Sequence, residues 1–599
     1  MREYATPLTV ASPPSENLAD DVVRHAETTP DRVVISRRVE STWIDVTAAE
    51  FHTLIRSVAG GFVASGVSAG DRVALMAHTR FEWTVLDYAL WYVGAITVPI
   101  YETSSVEQIQ WILRDSQAVA AIGESEAHVV RLRQAIDTGA QVACKKLWCI
   151  DDDCLSTLSA SGANVDPAEI DARRTSVGGS DIATLVYTSG TTGRPKGCGL
   201  SHANFSFEVS VALEELSELF DAAEDASTLL FLPLAHVFAR VIQVGSIRAG
   251  VRLGHSSDIR HLLDDLGKFQ PTFVLAVPRV FEKIFNTSSQ RAVADGHGRL
   301  FQRAVDAAIA WSRSLDGGRA SLTHKARRAT YDRLVYAKLR RAMGGRCAYA
   351  VSGGAPLGER LAHFYRGVGI NVLEGYGLTE TTAALTVNSP KAQKVGTVGR
   401  PLPGTSVRVA DDGELLFKGG QIFNGYWENS SATAEVIDNQ GWFHSGDIGD
   451  VDDEGFVRIT GRKKEILVTA GGKNVAPAVL EDRIRAHWLI DQCMVVGDGQ
   501  PFVAAIITLD EDSLPQWREQ HDKTAPLATL VNDPDLRTEI QKAIDDANLA
   551  VSKAESVRKF VIIPSTWTEE TGELTASLKL KRNVVMAQCT DEIEALYSR

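Results

Sequence analysis

The chain has 599 residues, 44% hydrophobic and 23% charged, a globular composition too long for one simple core. Its 76 acidic against 62 basic residues leave a net charge of −14, which argues against a nucleic-acid binder, because phosphate contacts need a dominant basic surface. Small anions such as nucleotides are not excluded, since they need only a local nest of N–H groups and a few cations.

The first twenty residues hold no apolar core of a secretory signal. The segment DRVALMAH, from Asp71, reads as a strand, WTVLDYALWYVGA as a helix and ITVPIY as the next strand. Val85 to Ile100 is the most apolar stretch, 16 residues carrying Asp87. That is short of the roughly 20 needed to span a bilayer, so a buried helix running into a strand is expected, in a cytoplasmic protein. Ser104-x-x-Glu107 resembles a capping box opening a further helix, and AVAAIG follows as a strand. Such repeated βα units predict an α/β fold of parallel sheets with helices on their faces and chemistry at the carboxyl ends of strands. Seven dispersed cysteines suit a reducing compartment. Cys144, Cys149 and Cys154, evenly spaced but without a C-x2-C pair, read as structural thiols.

The sharpest signal is Tyr187-Thr188-Ser189-Gly190-Thr191-Thr192-Gly193-Arg194-Pro195-Lys196-Gly197, after the strand DIATLV and before the helix SHANFSFEVSVALEEL. Its glycines let backbone approach phosphate oxygens, its hydroxyls and N–H groups supply donors, and Lys196 supplies charge. The spacing does not fit a Walker A motif. From about 287 to 344 the chain reads as a helical insertion, with twelve Lys/Arg against four Asp/Glu between Arg291 and Arg341. Leu300, Phe301, Ala304, Ala307, Ala308 and Trp311 form its apolar stripe. The basic face is either simply solvated or a peripheral contact with anionic lipid. Val395 to Ile459 reads as paired short strands of a small antiparallel or β-barrel-like subdomain, and a compact stretch of α+β character follows Arg462.

Further motifs recur in order: LPLAHVF at Leu232, SGGAPL at Ser352, GYGLTET at Gly375, GWFHSGD at Gly441, GRKKE at Gly461 and TASLKLKR containing Lys579. With these the sequence resembles the adenylate-forming superfamily of acyl-CoA synthetases, adenylation domains and beetle luciferases, and within it the long-chain fatty acyl-CoA synthetases. The resemblance implies an adenylation domain over residues 1–463 and a small mobile C-terminal domain over 464–599 that carries the catalytic lysine. It implies ATP, Mg2+ and coenzyme A as cofactor and co-substrates, and a fatty acid as the activated acid.

By resemblance, Glu380 and Thr188 hold Mg2+ on the ATP phosphates, a hard oxygen set suited to that ion. The nucleotide is expected among Thr188 to Gly193, Lys196, Gly353, Gly354, Ala355, Glu374, Gly375, Tyr376, Gly377, Thr379, Asp447 and Arg462. Asp447 would accept from the ribose hydroxyls, and Tyr376 would stack on adenine. His236 would lie near the acyl carboxylate. Lys579 would bridge carboxylate and α-phosphate as the two anions meet. Lys464 matches the family's hinge, and Gly471, Gly472, Lys473 and Asn474 match the face that turns toward CoA. Ala239 departs from the pattern, standing where many long-chain enzymes have an acidic residue. A fatty acyl-AMP ligase serving a carrier protein and an inactive acyl or nucleotide sensor are the alternatives. The first is disfavoured by the lack of an obvious extra segment after Glu380, the second by the presence of Lys579, Glu380, Asp447 and Arg462.

Overall fold

The computed structural model describes residues 3–598 except 11–15, 41, 140–141, 189–193, 222–224, 317, 319–320 and 576–578. The first sheet follows the βα repetition. Its strands lie in the order Lys146–Cys149, Ala120–Gly123, Arg72–Met76, Ile96–Ile100, Ile182–Thr188, Lys196–Ser201, and only the last pairing is antiparallel. The apolar stretch is the helix Phe81–Tyr92 feeding the strand Ile96–Ile100, and apart from Glu82 every residue of that helix is buried. A helix apolar all round belongs inside a core rather than on its surface.

The capping box lies one residue later than expected. Ser105 caps the helix Val106–Asp115, its Oγ accepting from Gln108 N–H while Gln108 Oε1 accepts from Ser105 N–H at 2.9 Å. Two overlapping S-x-x-E/Q patterns compete here, and the one chosen turns Ile109, Ile112 and Leu113 into the core.

Two further sheets each carry a parallel run. One orders Ser227–Leu230, Arg252–His255, Val33–Val39 and Thr42–Thr47; the other orders Phe273–Ala276, Tyr349–Ser352, Asn371–Leu378, Ala383–Val387 and Arg400–Pro401. Thr272 N–H donates to Ser227 C=O at 2.9 Å where the two meet. The β-rich region is a five-stranded antiparallel sheet, whose outer strand is Glu3–Ala5 from the N-terminus, paired with Ser406–Val409. The first helix of the helical region, Pro278–Ala294, opens with proline in its first turn, where the missing N–H costs nothing. The region's apolar stripe holds in part: Phe301, Ala304, Ala307 and Ala308 are buried, Leu300 and Trp311 half-buried.

Beyond Arg462, the strands Ile490–Val496, Val503–Leu509 and Val557–Ile562 form a mixed sheet backed by the helices Pro477–Arg485 and Pro534–Asn548, with its own apolar core around Trp517. This lobe docks on the first helix of the insertion. Arg279 Nη2 lies 2.5 Å from Asp491 and 3.2 Å from Asp510, and Gln290 donates to Ser513 Oγ at 2.8 Å. Thr103 also donates to Glu569 across the gap. All seven cysteines are free. Among the described residues no helix is long and apolar enough to cross a membrane.

Candidate active site between the lobes

A continuous cleft of about 3900 Å3 separates the lobes. Thr188, Lys196, His236, Gly353, Gly354, Ala355, Glu374, Gly375, Tyr376, Gly377, Thr379, Glu380, Arg462, Lys464 and Lys579 all reach its wall, although they come from widely separated segments. Asp447 lies just behind that wall, buried. Gly471, Gly472, Lys473 and Asn474 are not among the cleft's lining; they form an exposed turn of the C-terminal lobe, with Gly472 N–H bonded to Thr469 C=O.

The Tyr187–Gly197 segment departs from its strand-to-helix reading. Ile182–Thr188 and Lys196–Ser201 form an antiparallel hairpin, with Thr188 opposite Lys196, and the helix His202–Glu215 begins only after the second strand. Any phosphate cradle here therefore lies between two paired strands and not at a helix N-terminus. Ser189, Gly190, Thr191, Thr192 and Gly193 fall outside the described residues. The turn's flanks are fixed: Tyr187 donates to Asp115 at 2.7 Å, and Pro195 C=O accepts from Trp111 Nε1 at 2.8 Å.

Glu380 sits in the short 3-10 turn Thr379–Thr381, where Thr381 Oγ1 accepts from Leu378 N–H. Its Oε1 accepts from the Tyr426 hydroxyl at 2.8 Å, and Lys196 Nζ stands 4.9 Å from the centroid of the same ring. Sequence reading passed over Tyr426. The available signal was an aromatic pair, Tyr426-Trp427, directly after a glycine, and it is backbone pairing of Trp427 N–H with Gly197 C=O that brings it to the hairpin.

Tyr376 donates to Asp447 Oδ2, and Arg462 Nε pairs with Oδ1 at 3.1 Å. Burial raises the Asp447 pKa and Arg462 opposes it. Gly377 is obligatory for packing: a Cβ there would lie 1.4 Å from the Ala383 carbonyl oxygen. Glu374, behind the neighbouring turn, accepts from Leu357 N–H at 3.1 Å, and burial lifts its carboxyl to about 7.

His236 is the N-cap of the helix Val237–Ala249, its Nδ1 accepting from Phe238 N–H at 3.2 Å. Burial, with Lys579 nearby, holds its pKa at about 4. The ring is therefore neutral near pH 7, and with Nδ1 used as acceptor the proton resides on Nε2, a hydrogen-bond donor suited to a carboxylate oxygen. Ala239 is fully buried in the same helix.

Lys579 enters from the C-terminal lobe, its C=O accepting from Thr575 N–H at 2.8 Å. The side chain keeps accessible surface within the cleft, yet protein encloses it enough to lower its pKa; Arg462 adds to that, while Asp447, Glu380 and Glu465 oppose it. An ammonium set among a neutral imidazole, three carboxylates and a guanidinium can neutralise charge building between two anions.

The family model described as AMP-binding enzyme matches residues 22–427, and the one described as AMP-binding enzyme C-terminal domain matches 464–599. The chain is 48% identical over 604 residues to the long-chain-fatty-acid–CoA ligase FadD15 of Mycobacterium tuberculosis, covering all of both chains. It is 28% identical to the long-chain-fatty-acid–CoA ligase ACSBG2 of Xenopus laevis, covering 95% of this chain and 82% of that one. Among solved structures, a Mycobacterium tuberculosis fatty acyl CoA synthetase superposes with a TM-score of 0.62 at 23% identity, over 96% of this chain and 99% of that one. The adenylation domain of a carboxylate reductase from Mycobacterium chelonae reaches 0.73 at 22% identity, over 98% and 92%.

Proposed function

The chain belongs to the AMP-binding enzyme family, and on that premise we propose that it is an AMP-forming long-chain-fatty-acid–CoA ligase. It condenses a fatty acid with ATP to acyl-AMP and pyrophosphate, then transfers the acyl group to coenzyme A with release of AMP. The carrying observation is full-length similarity to such ligases, together with the meeting of Lys579, His236, Glu380, Asp447 and Arg462 around one cleft.

Two anions react in the first step, so catalysis is mainly positioning and charge neutralisation. The His236 Nε2–H orients the acid's carboxylate toward the α-phosphate, and Lys579 spans both groups as the bond forms. Glu380, held by Tyr426, and Thr188 offer hard oxygens that would hold Mg2+, which when bound neutralises phosphate charge. Asp447 takes the ribose hydroxyls, the ring of Tyr376 faces adenine, and Lys196 with the hairpin turn receives the phosphates. After pyrophosphate departs, the C-terminal lobe turns about Lys464, withdrawing Lys579 and presenting the turn Gly471–Asn474 to the CoA thiol. The Lys579-in, Gly471-out arrangement is the adenylating state.

The test is incubation with ATP, Mg2+ and fatty acids of graded length, with and without CoA, read by mass spectrometry. Acyl-CoA and AMP are expected. Acyl-AMP that persists in the presence of CoA overturns the acceptor assignment, and absence of pyrophosphate release overturns activation.

The basic insertion supports contact with anionic lipid. Its helix Leu322–Tyr331 buries no residue, and Leu322 at its start is 82% exposed. The helix is held to the fold through Tyr331 and Arg328, which leaves the exposed Leu322 end free to lie on a lipid interface. Equal recovery with anionic and neutral vesicles in a flotation assay would overturn this contact.

A further inference from the structure

The first sheet has a second ligand-competent place, outside the machinery above. The strand Arg72–Met76 leads through the helix Phe81–Tyr92 to its neighbour on one side, Ile96–Ile100. The strand Ala120–Gly123, adjacent on the other side, leads through the helix Glu126–Thr138 further away to Lys146–Cys149. The two helices pack into different cores, on opposite faces of the sheet. The crevice at the carboxyl ends of these two strands is thus a topological switch point, the place where open α/β sheets bind ligands. Glu124 follows its strand end directly, His78 stands two residues beyond Met76, and His128 stands in the first turn of the helix after Glu124.

We propose that His78, Glu124 and His128 form a binding site for a divalent transition-metal ion of the zinc class. One ligand atom from each lies within 4.8 Å of the others, the one such grouping of histidine, cysteine and carboxylate among the described residues. Ligands of one tetrahedral zinc stand roughly 3.4 Å apart, so small side-chain turns bring the three onto one ion. Two imidazoles with one carboxylate select zinc-class metals over Mg2+, whose partners are carboxylate and water.

The surroundings are arranged as supporting groups around such ligands usually are. His128 Nδ1 is 2.8 Å from Ser125 Oγ, which fixes one ring nitrogen and frees the other. Arg80 holds Glu124 Oε1 at 3.2 Å while also pairing with Glu82 and Asp151, leaving Oε2 directed at His78, 2.6 Å away. Glu102 at the end of the next strand is near enough for its charge to act on both His78 and Glu124, and its Oε2 is buried without a hydrogen-bond partner. His78, Glu102 and Glu124 all reach the wall of the interlobe cleft, so a bound ion keeps an open coordination position toward it.

The experiment titrates the full-length protein, stripped by chelator, with Zn2+ alone by calorimetry, with Mg2+ in parallel. Saturation by a single equivalent of Zn2+ but not of Mg2+ is expected, with affinity falling about tenfold or more in His78→Gln and His128→Gln and in the peripheral Ser125→Ala. Equal affinity in the wild type and the His78→Gln/His128→Gln protein overturns the site, as does failure of the wild type to bind. Should the histidine variants not fold, the zinc absorption edge of the loaded wild type decides: two bound imidazoles support the site, and none overturns it.

Discussion

The Tyr426 hydroxyl donates to Glu380 Oε1 at 2.8 Å, and the face of the same ring lies beneath the Lys196 ammonium. One side chain thereby spaces the carboxylate assigned to the metal from the lysine assigned to the phosphates. Because the bond is to a charged acceptor, its loss costs on the order of 1.5–3 kcal/mol, tenfold or more. Tyr426→Phe should raise the Mg2+ concentration needed for half-maximal pyrophosphate release by about that factor, with the fatty-acid KM unchanged. A uniform loss of activity at every Mg2+ concentration would show that the tyrosine only supports the fold.

Lys579 reaches the cleft from the C-terminal lobe, so under the proposed turning of that lobe its contribution belongs to one half-reaction. Lys579→Ala should abolish pyrophosphate release while transfer from supplied acyl-AMP to CoA proceeds nearly normally. Equal loss of both half-reactions would refute this division of labour.

Arg279 ties the helix Pro278–Ala294 to Asp491 and Asp510 of the C-terminal lobe and so favours the lobe arrangement proposed above for adenylation. A partly exposed pair of this kind contributes up to about 1 kcal/mol. Arg279→Gln should slow adenylation roughly two- to fivefold and leave thioester formation intact or faster, as read by single-turnover assays of each step. Slowing of the thioester step alone would contradict the latch.

Glu208 is buried in the helix His202–Glu215, with Oε1 accepting from Ala384 N–H at 3.1 Å and Oε2 unpartnered. Burial pushes its carboxyl well above the usual range. Above the unfolded value near 4.5 the folded chain therefore holds a proton that the unfolded chain has lost, and stability falls as pH rises. Glu208→Gln keeps the shape and removes this penalty, so it should stabilise the protein at pH 7–8 by on the order of 1–3 kcal/mol and converge on the wild type near pH 4. Thermal melts across that range check the sign.

Much of the site was legible because its chemistry is written in short contiguous runs. Thr379 and Glu380 sit in GYGLTET, Asp447 in HSGD and Lys579 in TASLKLKR, runs that resemble family motifs and so single these residues out before the fold brings Thr379, Glu380 and Lys579 to one cleft wall. The βα repetition was legible for a similar reason, since apolar periodicity repeats within each element. Errors fell where two local solutions were nearly equal: Ser105/Gln108 displaced Ser104/Glu107 because packing of Ile109, Ile112 and Leu113 chose the register. The strand Lys196–Ser201 stays hidden in the sequence because its six glycine-containing residues carry little strand signal by themselves.

The sequence by itself determined the class of fold, the family and the local chemistry of each motif, because these depend on residues close together in the chain. Only the tertiary structure decided that Tyr426 meets Glu380, 46 positions away, that Arg279 meets Asp491, and that His78 meets Glu124. Those meetings depend on strand order and lobe docking, which are set by burial of apolar surface across the whole chain and leave no trace in the spacing of any single segment.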